Sequence, residues 1–125
     1  YQIITYHYIH YGDLFAAGEL FDITETNRYT AFDTTKSFDI SLQLTEVANG
    51  NYNVKEYFVN RHHGNAYDIW LEMGAIPLSP KDTDLFRGLC VPGFHQSRLY
   101  AEKHALTYTA ELEPFEIRFA EISPL

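Results

Sequence analysis

The segment between residues 38 and 60 constrains the fold of this chain more than any other. From residue 38 to 45 apolar and polar side chains alternate, which is typical of a strand with one buried and one wet face. Asn49-Gly50 then supplies a pair that tolerates positive φ, and residues 52–60 again have strand composition. We therefore predict a β-hairpin with strands over residues 38–47 and 52–60. Leu42 and Phe58 are predicted to be core residues of these strands.

Further strands are predicted towards both ends of the chain. Residues 2–11 carry β-branched and aromatic side chains on both faces, which favours a central strand that is covered on each side. Residues 94–101, 105–112 and 115–122 also alternate. Between residues 13 and 32 no period is sustained, so we predict a long excursion with one helical turn.

Two short helices are predicted between the strands. Residues 66–73 place apolar side chains at spacings of three and four, and Gly74 follows as a left-handed terminating residue. Ser79, Pro80 and Asp82 predict the start of a second helix, over residues 80–89. Strands before and after two helices in one connection predict an all-β fold, mainly an antiparallel β-sandwich, as a single domain over residues 1–125.

Composition excludes several classes of function. The net charge is −8, with 17 acidic and 9 basic residues, and the basic residues are scattered, which disfavours direct nucleic-acid binding because that binding rests on phosphate neutralisation. No apolar run approaches the roughly 20 residues that cross a bilayer, so no membrane partner is predicted. The single Cys90 excludes an internal disulfide and a Cys-rich zinc site, and we expect a cytoplasmic location.

Residue types that carry chemistry are present, but their spacing does not favour catalysis. Asp68 and Glu72 share a face of the predicted helix, and other carboxylates fall in the long excursion. The simpler interpretation is a solvated acidic face or capping groups. His62 and His63 are adjacent, and a zinc site would need a third ligand. Cys90 lies in an apolar context that disfavours the thiolate. We predict no catalytic residue, no metal and no cofactor.

Three stretches resemble one known family: YQIITYHYIHY at residues 1–11, DITETNRY at residues 22–29 and NRHHGNAYDIWLEMG at residues 60–74. They are similar to the C-terminal β-sandwich accessory domain of glycoside hydrolase family 39, as found in β-xylosidases and in AraC-type regulators that carry a family 39-like region. The amino-acid sequence of residues 6–32 is more similar to the regulator-linked form. A (β/α)₈ catalytic barrel needs roughly 200 or more residues, so 125 residues would be an excised C-terminal fragment that follows the barrel.

The resemblance implies a non-catalytic domain that packs on the upstream (β/α)₈ barrel of the same chain. The parent would be either a β-xylosidase that acts on short xylo-oligosaccharides or a sugar-responsive transcriptional regulator. Xylose or a xylo-oligosaccharide and a second copy in a homo-oligomer are further expected partners. The fragment itself is predicted not to be an enzyme.

Two other functions remain open from the residues alone. A free-standing carbohydrate-binding module would present exposed aromatic residues flanked by Asp, Asn or Arg, whereas a purely structural module would present an apolar patch without them. An adaptor that recognises another protein would share that patch. The candidate interface or sugar contacts are Tyr29, Arg61, His62, His63, Tyr67, Asp68 and Trp70.

Overall fold

A computed structural model of the protein describes residues 1–32 and 36–125. The strands are β1 (Gln2–Tyr6), β2 (Phe38–Thr45), β3 (Gly50–Val59), β4 (Gly93–Ala101), β5 (Ala105–Leu112) and β6 (Ile117–Pro124). The helices are α1 (Asp13–Ala16), α2 (Ala66–Glu72) and α3 (Pro80–Leu89), with a 3₁₀ helix over Arg28–Ala31. None of the helices in the described ranges has the length and apolar content needed to cross a bilayer.

The strands form two antiparallel sheets. One sheet has four strands in the order β1-β6-β3-β4, and the other pairs β2 with β5. The fully buried side chains lie between the sheets and include Val54, Leu106, Leu112 and Ile122. This arrangement confirms the predicted all-β sandwich with two short helices in the connection between β3 and β4.

The predicted hairpin between residues 38–47 and 52–60 is wrong. β2 pairs with β5, from Phe38 opposite Leu112 to Thr45 opposite Ala105, while β3 lies in the other sheet. Residues 46–49 cross from one sheet to the other, and the Asn49 side chain accepts a hydrogen bond from the His104 amide at 2.8 Å. A period of two predicts which face is buried, but it does not say which strand is the neighbour.

β1 also differs from the prediction of a central strand over residues 2–11. It ends at Tyr6 and lies at the edge of the sheet, where it pairs only with β6. Ile3 faces the core, whereas Ile4 and Tyr6 are 69% and 66% exposed on the outer face. Apolar residues on both faces predict burial on both faces, but in the structure only the face that carries Ile3 is covered.

α3 begins and ends where the sequence predicts, and α2 begins as predicted but ends one residue early, at Glu72. Ser79 and Asp82 form a capping box at the start of α3, with Pro80 as the first helical residue. Asn65 caps α2, because its side chain accepts from the amides of Tyr67 and Asp68. Gly74 has a φ of 86° directly after α2, as predicted for the left-handed position.

The close approach of β3 and β4 requires a glycine at their shared end. A Cβ atom at Gly93 would lie 2.3 Å from the Phe58 ring, and Phe58 is the residue opposite Gly93 in the ladder. The ring therefore occupies the space of the missing side chain. Phe58 is half-buried, while Leu42, predicted to be core, lies at its margin with 37% exposure.

Replacing Leu106 by Ala is expected to cost about 2–5 kcal/mol of unfolding free energy, because the side chain is 1% exposed and its removal leaves a cavity. The matched change Leu42→Ala is expected to cost less, since that side chain is already partly in water. Urea unfolding of both variants measures the difference. Equal losses would mean that β2 is covered more fully than the structure shows.

Candidate functional site

The turn after β3 is organised by Asn60. Its side-chain oxygen accepts hydrogen bonds from the backbone amides of His62 and His63, both at 2.9 Å. Its side-chain nitrogen donates to Glu116 Oε2 at 3.1 Å. Asn60 is 5% exposed, so the sharp turn is fixed from inside the domain, and Arg61 is directed towards α2.

Four of the predicted site residues come together beside this turn with the α2 cap residue. We call this group the corner cluster: Tyr29, Arg61, Asn65, Tyr67 and Asp68. The Asp68 carboxylate lies at its centre, where it accepts from the Tyr29 hydroxyl at 2.6 Å, from the Asn65 amide nitrogen and from Arg61 Nη2 at 3.3 Å. Asp68 is buried, so the prediction that it belongs to a solvated acidic face is wrong. Its three partners satisfy the hydrogen-bonding capacity of the buried carboxylate.

Arg61 and Tyr29 contact each other across the cluster. The guanidinium carbon of Arg61 lies 3.8 Å from the centroid of the Tyr29 ring, which is a cation–π contact. Burial of Tyr29, together with its hydrogen bond to Asp68, raises the pKa of the phenol to about 12. The hydroxyl of Tyr29 therefore stays protonated at neutral pH and donates to the Asp68 carboxylate. Arg61 Nε is buried and has no hydrogen-bond partner among residues 1–32 and 36–125.

Tyr67 ties the long excursion to α2. Its hydroxyl donates to the Glu25 carbonyl at 2.7 Å and accepts from the Arg28 amide at 3.3 Å. The Tyr29 and Tyr67 ring centroids are 5.4 Å apart in an edge-to-face contact. The excursion, although irregular, is thus attached to the sandwich through two tyrosines.

Trp70 lies on α2 next to the corner cluster, but its hydrogen bond goes to a different part of the chain. Its indole nitrogen donates to the Ile76 carbonyl at 2.8 Å, so it closes the connection between α2 and α3. Trp70, Tyr67 and Tyr29 are all half-buried. They are internal contacts in this structure and do not form a shared exposed platform.

His62 and His63 do not converge. The His62 side chain is 74% exposed, with Nε2 3.9 Å from a Glu113 carboxylate oxygen. The His63 ring packs edge-on against Phe58, with centroids 5.1 Å apart, and its Nδ1 is 3.2 Å from Asn60 Oδ1. Within residues 1–32 and 36–125, no three His, Cys, Asp or Glu side chains are grouped as metal ligands.

A second polar group, which the sequence pattern does not predict, is centred on two buried carboxylates and extends to the exposed His95. We call it the buried ion network: Glu56, Asn60, His95, Tyr108, Glu116 and Arg118. Arg118 binds Glu116 Oε1 through Nε at 2.7 Å and Nη2 at 2.6 Å, and it reaches Glu56 Oε1 through Nη1 at 3.1 Å. One guanidinium therefore links two buried carboxylates, which are 5% and 1% exposed.

Glu56 has partners on each carboxylate oxygen. Tyr108 donates to Oε1 at 2.7 Å, and His95 Nδ1 lies 2.8 Å from Oε2. Burial opposes ionisation of Glu56, but the hydrogen bonds from His95 and Tyr108 and the charge of Arg118 outweigh it and hold its pKa below the usual value. Burial and the hydrogen bond to Glu56 also raise the pKa of Tyr108.

One signal in the sequence could have revealed this network. Glu56 follows Tyr52 and Val54 at the inward positions of β3, and Arg118 precedes Ala120 and Ile122 at those of β6. A charged residue at an inward position of a strand requires a partner inside the domain. The sequence does not show that β3 and β6 are neighbours, so it does not identify Glu56 and Arg118 as partners.

The outer side of the four-stranded sheet is largely apolar at one end. We call this the outer face, and its residues are Ile4, Tyr6, Tyr57, Val59, Phe94, Ile117 and Phe119. The ladder places Phe119 opposite both Ile4 and Tyr57, and Tyr57 opposite Phe94, so these four form one row across the sheet. All but the half-buried Phe119 are exposed, from Val59 at 37% to Ile4 at 69%. A contiguous apolar surface of this kind is typical of an interaction site.

Solved structures similar to this fold are parts of much longer chains. A monomeric β-xylosidase from Caulobacter crescentus CB15 matches 99% of this chain with a TM-score of 0.63 and 17% identity. The glycoside hydrolase family 39 enzyme from Xanthomonas axonopodis pv. citri matches 70% at 0.53 and 13% identity. A bacterial orthologue of human α-L-iduronidase matches 77% at 0.53 and 10% identity.

The fold is related to part of a glycoside hydrolase family 39 enzyme. At these identities the likeness shows the fold alone, and the chain spans only 18–24% of the length of these proteins. No protein-family model and no curated protein sequence matches the chain.

The corner cluster predicts a clear difference between two acidic residues of α2. Asp68→Asn is expected to destabilise the domain by about 1.5–3 kcal/mol, because it removes the charge to which Arg61 and Tyr29 are bound. Glu72→Gln, one turn later on an exposed position, is the matched control and should change stability little. Chemical denaturation compares the two. Similar small effects would show that the cluster is not an energetic unit.

The lowered pKa of Glu56 predicts loss of stability in acid. The ionised carboxylate stabilises the fold above the unfolded pKa of 4.5, and this contribution disappears as the pH falls from there through the folded pKa. We expect Glu56→Gln to be less stable than the parent chain at pH 7. Below pH 4.5 the variant should lose less stability than the parent chain. Urea unfolding over a pH series measures this. Glu19→Gln, at an exposed site, is the control and should retain the acid dependence.

Proposed function

We propose that this chain is a non-catalytic β-sandwich accessory domain of a protein related to glycoside hydrolase family 39, and that its outer face packs on a (β/α)₈ barrel of the same protein. The observation that carries the proposal is the outer face itself, where a row of large apolar side chains from all four strands lies in solvent. Burial of apolar area of this kind is the main favourable term in association.

The shape and composition of the outer face support a protein partner rather than a sugar. None of the outer-face residues is charged. The polar residues of the sheet surface, such as Lys55 and Glu121, begin in the next row of the ladder, towards the chain termini. A sugar site needs polar groups placed to bond hydroxyls. A helix surface of a barrel needs only apolar contact.

The state of the carboxylates supports a non-catalytic role. A retaining glycosidase uses two carboxyl groups about 5 Å apart, one of which must be able to give up a proton. The buried Glu56 and Glu116 share Arg118, and the pKa of Glu56 is lowered. A carboxylate held ionised in this way is unsuited to act as a general acid.

Two parents fit this accessory role. The fold likeness to a β-xylosidase supports an enzyme whose barrel removes xylose from short xylo-oligosaccharides. The amino-acid sequence of residues 6–32 supports an AraC-type regulator in the cytoplasm whose barrel senses such a sugar. The complete reading frame separates them: a barrel with two strand-end glutamates supports the enzyme, and a helix-turn-helix region before the barrel supports the regulator. A frame that encodes no barrel would refute the proposal.

The proposed interface predicts an effect that depends on the rest of the protein. Tyr57→Ser with Phe94→Ser is expected to change the unfolding of the isolated chain little, because these side chains are 42% and 55% exposed. In the full-length protein the same pair should separate the unfolding of the sandwich from that of the barrel and expose their junction to protease. Calorimetry and limited proteolysis are the measurements.

Phe21→Ser provides the control for that experiment. Phe21 is 76% exposed and lies on the long excursion, outside the set of residues that defines the outer face. The substitution removes an aromatic side chain and leaves the residues of the proposed interface unchanged. If the control and the double variant loosen the full-length protein equally, the outer face is not the contact surface.

A further inference from the structure

β4 lies at the edge of the four-stranded sheet. It pairs with β3 from Gly93 opposite Phe58 to Ala101 opposite Gly50, and in the described residues its other side carries no ladder. β5 follows in the chain after residues 102–104 and belongs to the other sheet, and the isolated bridge between Glu102 and Ala105 lies just beyond the end of β4. Nine residues at about 3.3 Å each leave an open edge of about 30 Å.

Open edges of this length are usually protected from pairing with another chain. The common devices are a β-bulge, a proline within the strand, or charged side chains along it. β4 pairs with β3 residue by residue without a bulge, and Pro92 precedes the strand. Its single residue of permanent charge is Arg98. The edge is therefore competent to accept another strand.

Charge identifies a second copy of this chain as a suitable partner for this edge. The protein has a net charge of −8, so most surfaces of two copies repel each other. β4 carries no acidic residue and has Arg98 and His95. Two copies approach each other with less repulsion along this edge than along the edges of the two-stranded sheet, where β2 and β5 carry Asp39 and Glu111.

The sequence of β4 is also complementary to itself. In an antiparallel pair centred on Ser97, Phe94 lies opposite Tyr100 of the second copy, and Gln96 lies opposite Arg98. Phe94 and Tyr100 are 55% and 65% exposed, and each pair occurs twice by symmetry. Cross-strand aromatic pairs stabilise antiparallel ladders.

We propose that two copies of this chain associate through their β4 edges, antiparallel and centred on Ser97, so that the two four-stranded sheets become one continuous sheet of eight strands. The assembly continues the aromatic row of the outer face, because Tyr100 of the second copy lies beside Phe94. The contact uses the strand edge and leaves the flat of the outer face open. Phe94 is shared with the outer face, so the dimer is tested at Gln96, Ser97 and Arg98, which lie outside that face.

The register predicts that an added negative charge strengthens the dimer. Gln96→Glu places a carboxylate opposite Arg98 of the second copy, twice per dimer, and should lower the dissociation constant about 2- to 30-fold. Thr109→Glu on β5 adds the same charge at an exposed site outside the contact and should leave the dissociation constant unchanged or raise it. Gln96→Glu combined with Arg98→Glu should weaken the dimer. Sedimentation equilibrium measures all three, with circular dichroism to verify the fold.

A cross-link tests the symmetry axis directly. Ser97→Cys in a Cys90→Ser background is expected to form a covalent dimer under mild oxidation, because residue 97 meets its own copy. Ser41→Cys in the same background lies on β2 and should not. A chain that sediments as a monomer at every soluble concentration overturns the proposal. Preferential cross-linking at Ser41, or a weaker dimer with Gln96→Glu, overturns it as well.

Discussion

Arg118 lies between the carboxylates of Glu56 and Glu116, and the candidate site depends on this contact. Two buried carboxylates cost several kcal/mol each unless they are paired. A guanidinium that binds Glu116 through two nitrogens and Glu56 through a third offsets that cost with directional hydrogen bonds. Because Glu56 is on β3 and Arg118 on β6, the network fixes how these central strands lie against each other.

The same network extends to the corner cluster. Glu116 accepts from Asn60, and Asn60 holds the amides of His62 and His63. The turn they form directs Arg61 onto the Tyr29 ring and the Asp68 carboxylate. The helical connection and the long excursion are thus attached to the sheets through polar contacts, while no element among the described residues covers the apolar outer face. An exposed apolar surface of this kind is typical of an interaction site.

Much of the local structure could be predicted from the sequence, and one part of its assembly could not. Ser79, Pro80 and Asp82 placed the start of α3, and Gly74 placed the end of α2, because capping uses hydrogen bonds between residues a few positions apart. The pairing of β2 with β5 was missed, since the Asn-Gly pair fits a sheet-crossing connection as well as a hairpin. For the candidate site, the sequence singled out Tyr29, Arg61, Tyr67 and Asp68, which the structure brings together, but it did not single out Glu56, Glu116 and Arg118.

The sequence alone determined the alternation of strand faces, the helix boundaries and the overall all-β class, because these depend on the period of apolar residues and on short-range hydrogen bonds. Only the tertiary structure decided which strands are neighbours, which aromatic residues are buried and which are left in solvent. These properties depend on contacts between residues far apart in the chain, such as Glu56 with Arg118. The alternation of side chains along a strand does not identify the strand with which it pairs. Ile3 and Ile4 therefore look alike in sequence, although one packs against the core and the other lies in solvent.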